Sequence, residues 1–322
     1  MRRRTFVTGA AAAGVLAGWP AIGQEKFPSK PIEVVTHSGA GGGTDITARM
    51  MMVHAPGVLG TELVVANRVG GSGAAALAYA AGRPRDGHTI LLITQSHLLT
   101  ILQGKSAVKY DELVALARAT ADPQILMVGK ASAIKGGKEL LDAGKAKKMK
   151  VGVTHIGSID HITLVGFARK AGFQAPTAIP FRGGGDIVVN VVSGNLDLGM
   201  LNYAEAESQI KAGDVRAVMA LSGQRLKVLP DVPTAKELGI DAQYDTVRGF
   251  VTLKGTPEDR LKTLEDGLIK AMQGQMYSAY IDTSGQAPDS VAPRAAWQAQ
   301  LDTMYKEAEA ELKSLAPAAP AK

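Results

Sequence analysis

Three residues that could carry acid–base or metal chemistry lie close together near the middle of the chain, namely His155, Asp160 and His161. Imidazole and carboxylate groups serve as general bases and as metal ligands. If a helix opens at Asp160, its side chain and that of His161 project about 100° apart, which is a poor geometry for binding one ion jointly. A helix cap or first-turn acid is therefore the expected role of Asp160. An exported hydrolase or lyase that uses all three residues stays open as an alternative.

The most informative segment is a glycine-rich turn that joins an apolar run beginning at Ile32 to an amphipathic run at residues 46–53. The pattern predicts a buried strand, a turn and a helix capped by Thr44 and Asp45. This order places free N–H groups and the positive end of a helix dipole at the carboxyl edge of a sheet, where anions bind. The predicted anion-binding residues in this segment are Ser38, Gly41, Gly42, Gly43, Thr44 and Asp45.

Nucleotide binding is not predicted for this turn. It lacks the Gly-Lys-Ser/Thr ending of a phosphate-binding loop, and its glycine spacing is an imperfect dinucleotide fingerprint. A tight turn whose glycines serve packing alone remains a structural alternative. No cofactor and no metal are predicted.

Strand-like and helix-like runs alternate along the chain, which predicts an α/β fold with two doubly wound parallel sheets. A first series has predicted strands up to residues 125–128, and a second series starts afresh at residues 150–154. Each series has glycine-rich or small polar turns before helices, at residues 39–45, 70–73, 155–158 and 182–186. Two sheets that present helix N-termini to each other would form a cleft able to hold an anion from both sides. Such a cleft is expected to close on its ligand by a hinge motion.

Further candidate binding residues follow the predicted strands. Gly157-Ser158-Ile159 lacks the second half of a Gly-x-Ser-x-Gly turn, so Ser158 is interpreted as a hydroxyl donor rather than a nucleophile. Arg182 could be a charge partner or an exposed loop residue. No catalytic residue is predicted, and the remaining candidates for ligand contacts are Ser96, His155, Gly157, His161, Gly183, Gly184 and Asn202.

The N-terminus has the pattern of a secretory signal. Arg3 and Arg4 precede an apolar Ala/Gly-rich stretch at residues 9–18, and small residues follow at 21–23. The apolar stretch is too short for a membrane span, and Trp19-Pro20 interrupts the apolar run. We expect a twin-arginine signal peptide at residues 1–23 and a soluble, monomeric protein in the periplasm after cleavage.

Composition excludes several classes of protein. The chain has no cysteine, so disulfides and a lipid-modified cysteine are excluded. Loss of residues 1–23 removes three arginines and no acid, which lowers the formal charge from +6 to +3. The basic pI is therefore partly a property of the signal. No basic–aromatic interleaving is present, so a nucleic-acid partner is not predicted.

Taken in order, these motifs resemble the Bug-type substrate-binding receptors of tripartite tricarboxylate transporters. The resemblance covers nearly the whole chain after the signal. It rests on residues 27–32, Gly41-Gly42-Gly43-Thr44-Asp45, Asn67-Arg68 with the turn at 70–73, residues 86–91, Gly157-Ser158 with His161, Pro180-Phe181-Arg182-Gly183 and residues 229–234.

The resemblance implies a two-lobed type II periplasmic binding-protein fold. Residues 24–126 and 246–322 would form a discontinuous first lobe, and residues 127–245 the second. It also implies a small carboxylate ligand, held without chemistry by backbone groups, hydroxyls and ordered waters. The implied partners are the large and small subunits of a membrane permease, or a sensor kinase.

Two features depart from the family pattern. Ser38-Gly39-Ala40 stands where a Pro-Pro or similar pair is usual, and Ile159-Asp160 replaces a more usual Thr/His-type pair. An acid beside a carboxylate site would repel a second carboxylate unless it caps the helix or receives a ligand amine. Asp160 therefore favours a monocarboxylate, a zwitterion or an asymmetric ligand over citrate.

Overall fold

The computed structural model describes residues 26–286 and 288–315, so the predicted signal peptide lies outside the described residues. Within the described part, no helix combines the length and apolarity needed to cross a membrane. Two mixed β-sheets are flanked by helices on both faces. The helices are α1 Gly43–Met52, α2 Ala55–Leu59, α3 Ala74–Ala81, α4 Gln95–Leu102, α5 Gly137–Ala146, α6 Ile159–Ala171, α7 Gly184–Val192, α8 Tyr203–Lys211, α9 Glu258–Met272, α10 Gln275–Thr283 and α11 Arg294–Leu315.

The first sheet contains β1 Ile32–Thr36, β2 Leu63–Asn67, β3 Thr89–Ile93, β4 Leu113–Pro123, β10 Asp245–Leu253 and β11 Ala292–Pro293. Their order is β11-β4-β10-β3-β1-β2, with β10 antiparallel to both of its neighbours. Alternate residues face opposite helix layers, because side chains along a strand point to opposite faces. Val34 packs in the cluster that contains Leu264, whereas Val35 packs in the cluster that contains Trp297.

The second sheet contains β5 Ile125–Gly129, β6 Lys150–Thr154, β7 Thr177–Phe181, β8 Leu198–Leu201 and β9 Val215–Ala220. Their order is β7-β6-β8-β5-β9, and β5 is antiparallel to β8 and β9. The cluster on one face includes Phe167 from α6, and the cluster on the other includes Val188 from α7. Burial on both faces explains why the central strands β5 and β8 read as continuous apolar runs.

The chain passes from one sheet to the other twice. β4 ends at Pro123 and β5 begins at Ile125, while the return runs from the end of β9 to the start of β10. The two connections are bonded to each other, because Gln124 N–H donates to the Tyr244 carbonyl at 3.0 Å and Leu221 N–H donates to the Gln124 carbonyl at 2.8 Å. This paired crossing joins the two halves beside the space between the sheets.

The α/β class and the two series of elements are confirmed, with two corrections. The sheets are mixed rather than parallel, since β10 and β5 run against their neighbours. The N-cap of α1 is Gly42, so Thr44 and Asp45 lie inside the first turn instead of capping it. Here the glycine's extended backbone supplies the helix start, and the polar side chains are free for other contacts.

Candidate ligand-binding cleft

A cleft opens between the two sheets at the carboxyl ends of their parallel strands, which is the usual ligand position in open α/β sheets. The first sheet contributes the segments after β1 and β3, together with β10. The second contributes the segments after β6, β7 and β8. The lining residues are His37, Ser38, Gly43, Thr44, Thr94, Ser96, Thr154, His155, Ile159, Asp160, Arg182, Gly183, Asn202, Glu205, Thr246 and Arg248.

The loop before α1 is ordered by Asp45. Its carboxylate accepts hydrogen bonds from the Gly41 amide at 3.1 Å, Arg49 Nε at 2.9 Å and Asn67 Nδ2 at 3.0 Å. Ser38 Oγ accepts the Asp45 amide at 3.2 Å. Burial acts to raise the pKa of Asp45, but these hydrogen bonds outweigh it and hold the pKa below its usual value. Asp45 is therefore an ionised residue that stabilises the loop from behind, and it does not line the cleft.

The two glycine-rich loops meet across the cleft. The Gly39 amide donates to the Arg182 carbonyl at 3.0 Å. A Cβ on Gly183 would come within 3.3 Å of Gly42 Cα, so this close approach of the two loops favours glycine at position 183. The sequence predicted that these loops would grip an anion from both sides, and the group that lies between them is a carboxylate of the protein itself, Glu205.

Glu205 lies in the first turn of α8, and its two oxygens are held by backbone amides. The Gly43 amide donates to Oε1 at 2.7 Å, and the Asn202 amide donates to Oε2 at 3.0 Å. A Cβ on Gly184 would stand 2.2 Å from Glu205 Cδ, so the start of α7 presses against the same carboxylate. Three helix N-termini, those of α1, α7 and α8, therefore converge on one side chain, as their dipoles favour.

Arg248 is the buried cation of the cleft. It lies on β10 with 2% of its surface exposed. Its Nη1 bonds to Asp122 Oδ2 at 2.7 Å, and its Nη2 donates to Asn202 Oδ1 at 2.7 Å. Burial raises the pKa of Asp122 even though the charge of Arg248 opposes that rise. Arg248 Nε has no hydrogen-bond partner.

Asp160 is a first-turn acid of α6, as expected, and its carboxylate also lines the cleft. Gln124 Nε2 donates to Oδ1 at 2.6 Å, and the Thr154 amide donates to Oδ2 at 3.0 Å, while the Thr154 hydroxyl also contacts Oδ2. Burial raises the pKa of Asp160 to about 6, against the Thr154 hydrogen bonds that lower it, and the charge of Glu205 raises it further. The residue is 8% exposed, so its carboxylate is largely shielded from water.

The histidines do not assemble into a catalytic pair. His161 Nδ1 accepts the Gly157 amide at 3.1 Å, and His155 takes a left-handed backbone conformation with φ of +63°. His37 and His97 pack edge to face with ring centroids 4.4 Å apart. Burial lowers the pKa of His37, His155 and His161, so their rings are neutral near pH 7. Among the described residues, no group of three His, Asp or Glu side chains is arranged to hold a metal ion.

A sequence model described as the tripartite tricarboxylate transporter family receptor matches residues 47–309. The chain belongs to this receptor family. BugT of Bordetella pertussis is 26% identical over 291 residues, with 88% of each chain covered. The structure of the periplasmic binding protein BugD superposes with a TM-score of 0.82 at 22% identity, over 89% of this chain and 98% of that one. MatC of Rhodopseudomonas palustris, solved with bound malate, gives a TM-score of 0.78 at 24% identity, over 88% and 99% of the two chains.

These likenesses establish a periplasmic binding-protein fold for the receptor, and the family to which it belongs is periplasmic. Several predicted residues do lie together on the cleft wall. They are Ser38, Gly43, Thr44, Ser96, His155, Arg182, Gly183 and Asn202. Their role in ligand binding stays a prediction.

Other predicted residues of the receptor lie behind that wall and support it. Ser158 is the N-cap of α6, where its Oγ accepts the His161 amide at 3.3 Å. Gly157 has a φ of +83° and forms the turn before that cap. The remaining predicted residues outside the wall are Gly41, Gly42, Asp45, His161 and Gly184.

Two predicted side chains are engaged by the protein rather than free. The side chain of Arg182 is 74% exposed and pairs with Asp186 at 2.8 Å. The group of Arg182 that contacts the opposite loop is therefore its backbone carbonyl, which accepts the Gly39 amide, and not its guanidinium. Asn202 donates to the Asp122 and Pro123 carbonyls at 2.9 and 3.0 Å, which ties the second sheet to the end of β4.

The sequence interpretation missed Glu205 and Arg248, the two charged groups that organise the receptor's cleft. A weak signal existed for Arg248, which interrupts an apolar strand pattern at Val247-Arg248-Gly249-Phe250. A cation inside a buried strand needs a partner, so it marks a functional or structural site. Glu205 gave no such signal, because an acid in the first turn of a helix is ordinary.

Proposed function

We propose that this receptor captures a small organic carboxylate between its two halves and hands it to a membrane permease without changing it chemically. The observation that carries the proposal is the position of the cleft, at the strand ends of two sheets between which the chain passes at the paired crossing beside Gln124 and Tyr244. Membership of the receptor family supports binding and delivery as the activity.

In the proposed mode of binding, two lobes of the receptor close around the ligand. We infer that residues 24–126 with 246–322 and residues 127–245 act as two lobes, which correspond closely to the two sheets. Cross-cleft hydrogen bonds hold the lobes together, including the Ile159 amide to Ser96 Oγ at 3.0 Å and Ser72 Oγ to the Ile156 carbonyl at 3.1 Å. The ligand carboxylate would enter when these bonds open and would then meet Arg248 and the neighbouring hydroxyls.

The lining favours holding over chemistry. Asp160 and His161 bond to different backbone amides, those of Thr154 and Gly157, so neither orients the other as a base–orienter pair requires. Arg248 and the lining hydroxyls instead supply donors of the kind that fix a carboxylate. The partner is expected to be the large and small permease subunits, or a sensor kinase.

A thermal-shift screen against mono-, di- and tricarboxylates, aromatic acids and amino acids tests the proposal. A ligand at 100 times its Kd should stabilise the protein by about 2.7 kcal/mol and raise Tm by several degrees. The bound acid should be recovered unchanged after prolonged incubation. Turnover of the acid would favour the enzyme alternative, and an absence of stabilisation by every acid would contradict a carboxylate receptor.

Delivery to a permease needs a separate measurement. Uptake of the identified acid should fall to background in cells that lack the receptor and recover when it is restored. Normal uptake combined with loss of a transcriptional response to the acid would instead favour the sensor role.

A further inference from the structure

The place in the cleft where the N-termini of α1, α7 and α8 meet is already occupied by a carboxylate of the protein. Glu205 receives the Gly43 amide of α1 and the Asn202 amide of its own helix, and Gly184 of α7 packs on it. A ligand carboxylate entering this corner would have to replace a carboxylate that is built into the fold. The helix dipoles that favour an anion here are therefore satisfied before any ligand arrives.

The Glu205 carboxylate is anchored rather than loosely placed. Its own helix holds it through the Asn202 amide, and Asn202 is in turn bonded to the Asp122 carbonyl and to Arg248. A side chain at Gly184 would clash with it, so the space around it fits this carboxylate closely. Glu205 therefore places a carboxylate at a fixed position on one side of the site.

Each of the two arginines in the described lining pairs with a carboxylate outside the lining, which leaves the two lining acids, Glu205 and Asp160, without a matched cation. Arg248 is matched by Asp122 at 2.7 Å, so its charge is compensated within the protein. The other lining cation, Arg182, is largely exposed and pairs with Asp186. The lining histidines, His37 and His155, are neutral because burial lowers their pKa. Glu205 and Asp160 remain without a cation in contact.

An unpartnered buried donor points independently to a ligand that carries an acceptor group. Arg248 lines the cleft, and its Nε is buried as a donor without an acceptor. A ligand carboxylate would satisfy this donor.

We propose that the ligand of this receptor carries a protonated amine as well as a carboxylate, and that Glu205 and Asp160 select the amine. The inference rests on the proposed function and narrows its ligand class to zwitterions. In this arrangement the ligand carboxylate lies towards Arg248 Nε and the lining hydroxyls, and the ammonium lies between Glu205 and Asp160. A second carboxylate at the ammonium position would face two like charges in a poorly solvated site.

Matched pairs of ligands test this inference whichever acid is the natural ligand. We would titrate the protein by calorimetry at about pH 7.5, where Asp160 is ionised, with aspartate against malate, glutamate against 2-hydroxyglutarate and β-alanine against 3-hydroxypropionate. Each pair exchanges an ammonium for a hydroxyl on one carbon skeleton. For the pair whose skeleton fits, the amine should bind at least about tenfold more tightly than the hydroxy acid.

The variant Glu205→Gln should reduce that preference by about fivefold or more, because its charge is gone. Its amide oxygen can still accept the Gly43 amide, while the bond from the Asn202 amide is lost. Glu207→Gln is the matched control, since Glu207 lies on the same helix and pairs with Lys211 at its surface. It should leave the preference unchanged. If Glu205→Gln does not fold, Asp160→Asn provides the second variant and should lower the preference in the same direction.

The outcomes separate this inference from the function on which it rests. Tight binding of hydroxy acids with no preference for the amine, unchanged in Glu205→Gln, would overturn the inference and leave the carboxylate receptor standing. A second result would also overturn the inference, namely tighter binding of malate by Glu205→Gln than by the wild type, with no preference for aspartate in the wild type. This result would show that the Glu205 carboxylate competes with the ligand carboxylate for one position. Failure of every acid in all three pairs and in the wider screen would overturn the proposed function as well.

Discussion

Arg248 Nη2 donates to Asn202 Oδ1 at 2.7 Å, and this bond joins the middle of β10 in the first sheet to the N-cap of α8 in the second. Asn202 in turn positions the amide that holds Glu205. The cation of one half and the acid of the other are therefore coupled through a single asparagine. Substitutions at this junction should affect stability and binding together.

Loss of the buried cation should destabilise the fold strongly. Arg248→Met would leave Asp122 buried and unpaired, and breaking a buried ion pair typically costs about 3 to 5 kcal/mol. Chemical denaturation measures the change in the free energy of unfolding. The double variant Arg248→Met with Asp122→Asn should recover part of that loss, because it removes the stranded charge.

The control for that experiment is Arg225→Met. Arg225 pairs with Glu237 at the surface, where both side chains are nearly half exposed, so its loss should cost no more than about 1 kcal/mol. Equal effects of the two arginine substitutions would show that burial of the Arg248 pair has no special energetic role.

Gly43 should not tolerate even a methyl group. A Cβ at this position would stand 2.1 Å from Arg248 Nη2, so Gly43→Ala must shift the guanidinium or the start of α1. Overpacking of this kind costs about 1 to 3 kcal/mol, and Tm should fall accordingly. Ligand affinity should fall in parallel, since the same shift displaces the donor at Arg248 Nε.

Gly57 of α2 offers the matched substitution for Gly43. A Cβ on Gly57 would meet nothing within 4 Å, so Gly57→Ala should be neutral or stabilise the helix by up to about 1 kcal/mol. A Gly43→Ala protein as stable as Gly57→Ala would mean that Arg248 has room to move away.

The closed arrangement should depend on Ser96. Its Oγ accepts the Ile159 amide across the cleft at 3.0 Å. Ser96→Ala would leave this amide without its partner, at a cost of about 1 to 3 kcal/mol in the closed form. The ligand-free variant should therefore show a larger radius of gyration by small-angle scattering, and ligand should restore the wild-type value.

Ser193→Ala is the comparison for Ser96→Ala, because Ser193 bonds only to the Val189 carbonyl one turn earlier on an exposed face. Its scattering profile should match that of the wild type. An unchanged radius of gyration in Ser96→Ala would indicate that other contacts hold the halves together.

Stability should depend on pH through Asp160. Its pKa in the folded protein is about 6, above the unfolded value, because burial penalises the charged carboxylate. The folded state therefore binds the proton more tightly, and stability is lost as pH rises from about 4 to about 6. The size of that shift predicts that the free energy of unfolding of Asp160→Asn, relative to that of the wild type, should rise by about 3 kcal/mol between pH 4 and pH 7.

Asp160→Asn should be accommodated structurally, because Gln124 can turn its amide and offer the unpartnered Oε1 to the new Asn amide. Comparing the two proteins at each pH cancels the contributions of other carboxylates. A difference in unfolding free energy that stays constant with pH would contradict the burial effect. An unchanged ligand preference in this variant would also remove the basis for assigning Asp160 a role in selectivity.

Local pattern alone determined much of the first loop. The strand at Ile32, the glycine turn and α1 are specified by neighbouring residues, because strand alternation, turn preference and helix periodicity are all short-range properties. β4, in contrast, was not predicted. Its sequence Leu113–Pro123 is rich in alanine, and it is a strand because β10 and β11 pair with it on both sides.

The candidate site shows the same division. Ser38, Gly43, Thr44, Ser96, His155 and Asn202 were predicted because they follow strands, and the ends of parallel strands meet at one edge of a sheet. The prediction that the two glycine loops face each other was confirmed by the bond between Gly39 and Arg182. Both results follow from topology, which an alternating pattern of elements can specify.

What only the tertiary structure decided is the charge of the site. Glu205 reaches Gly43 across 162 positions of sequence, and Arg248 reaches Asp122 across 126. Such contacts depend on the crossing of the two sheets and on register, which no local pattern encodes. The sequence alone predicted that helix N-termini would face each other around an anion, while the three-dimensional fold decided that the carboxylate bonded there is a side chain of the protein.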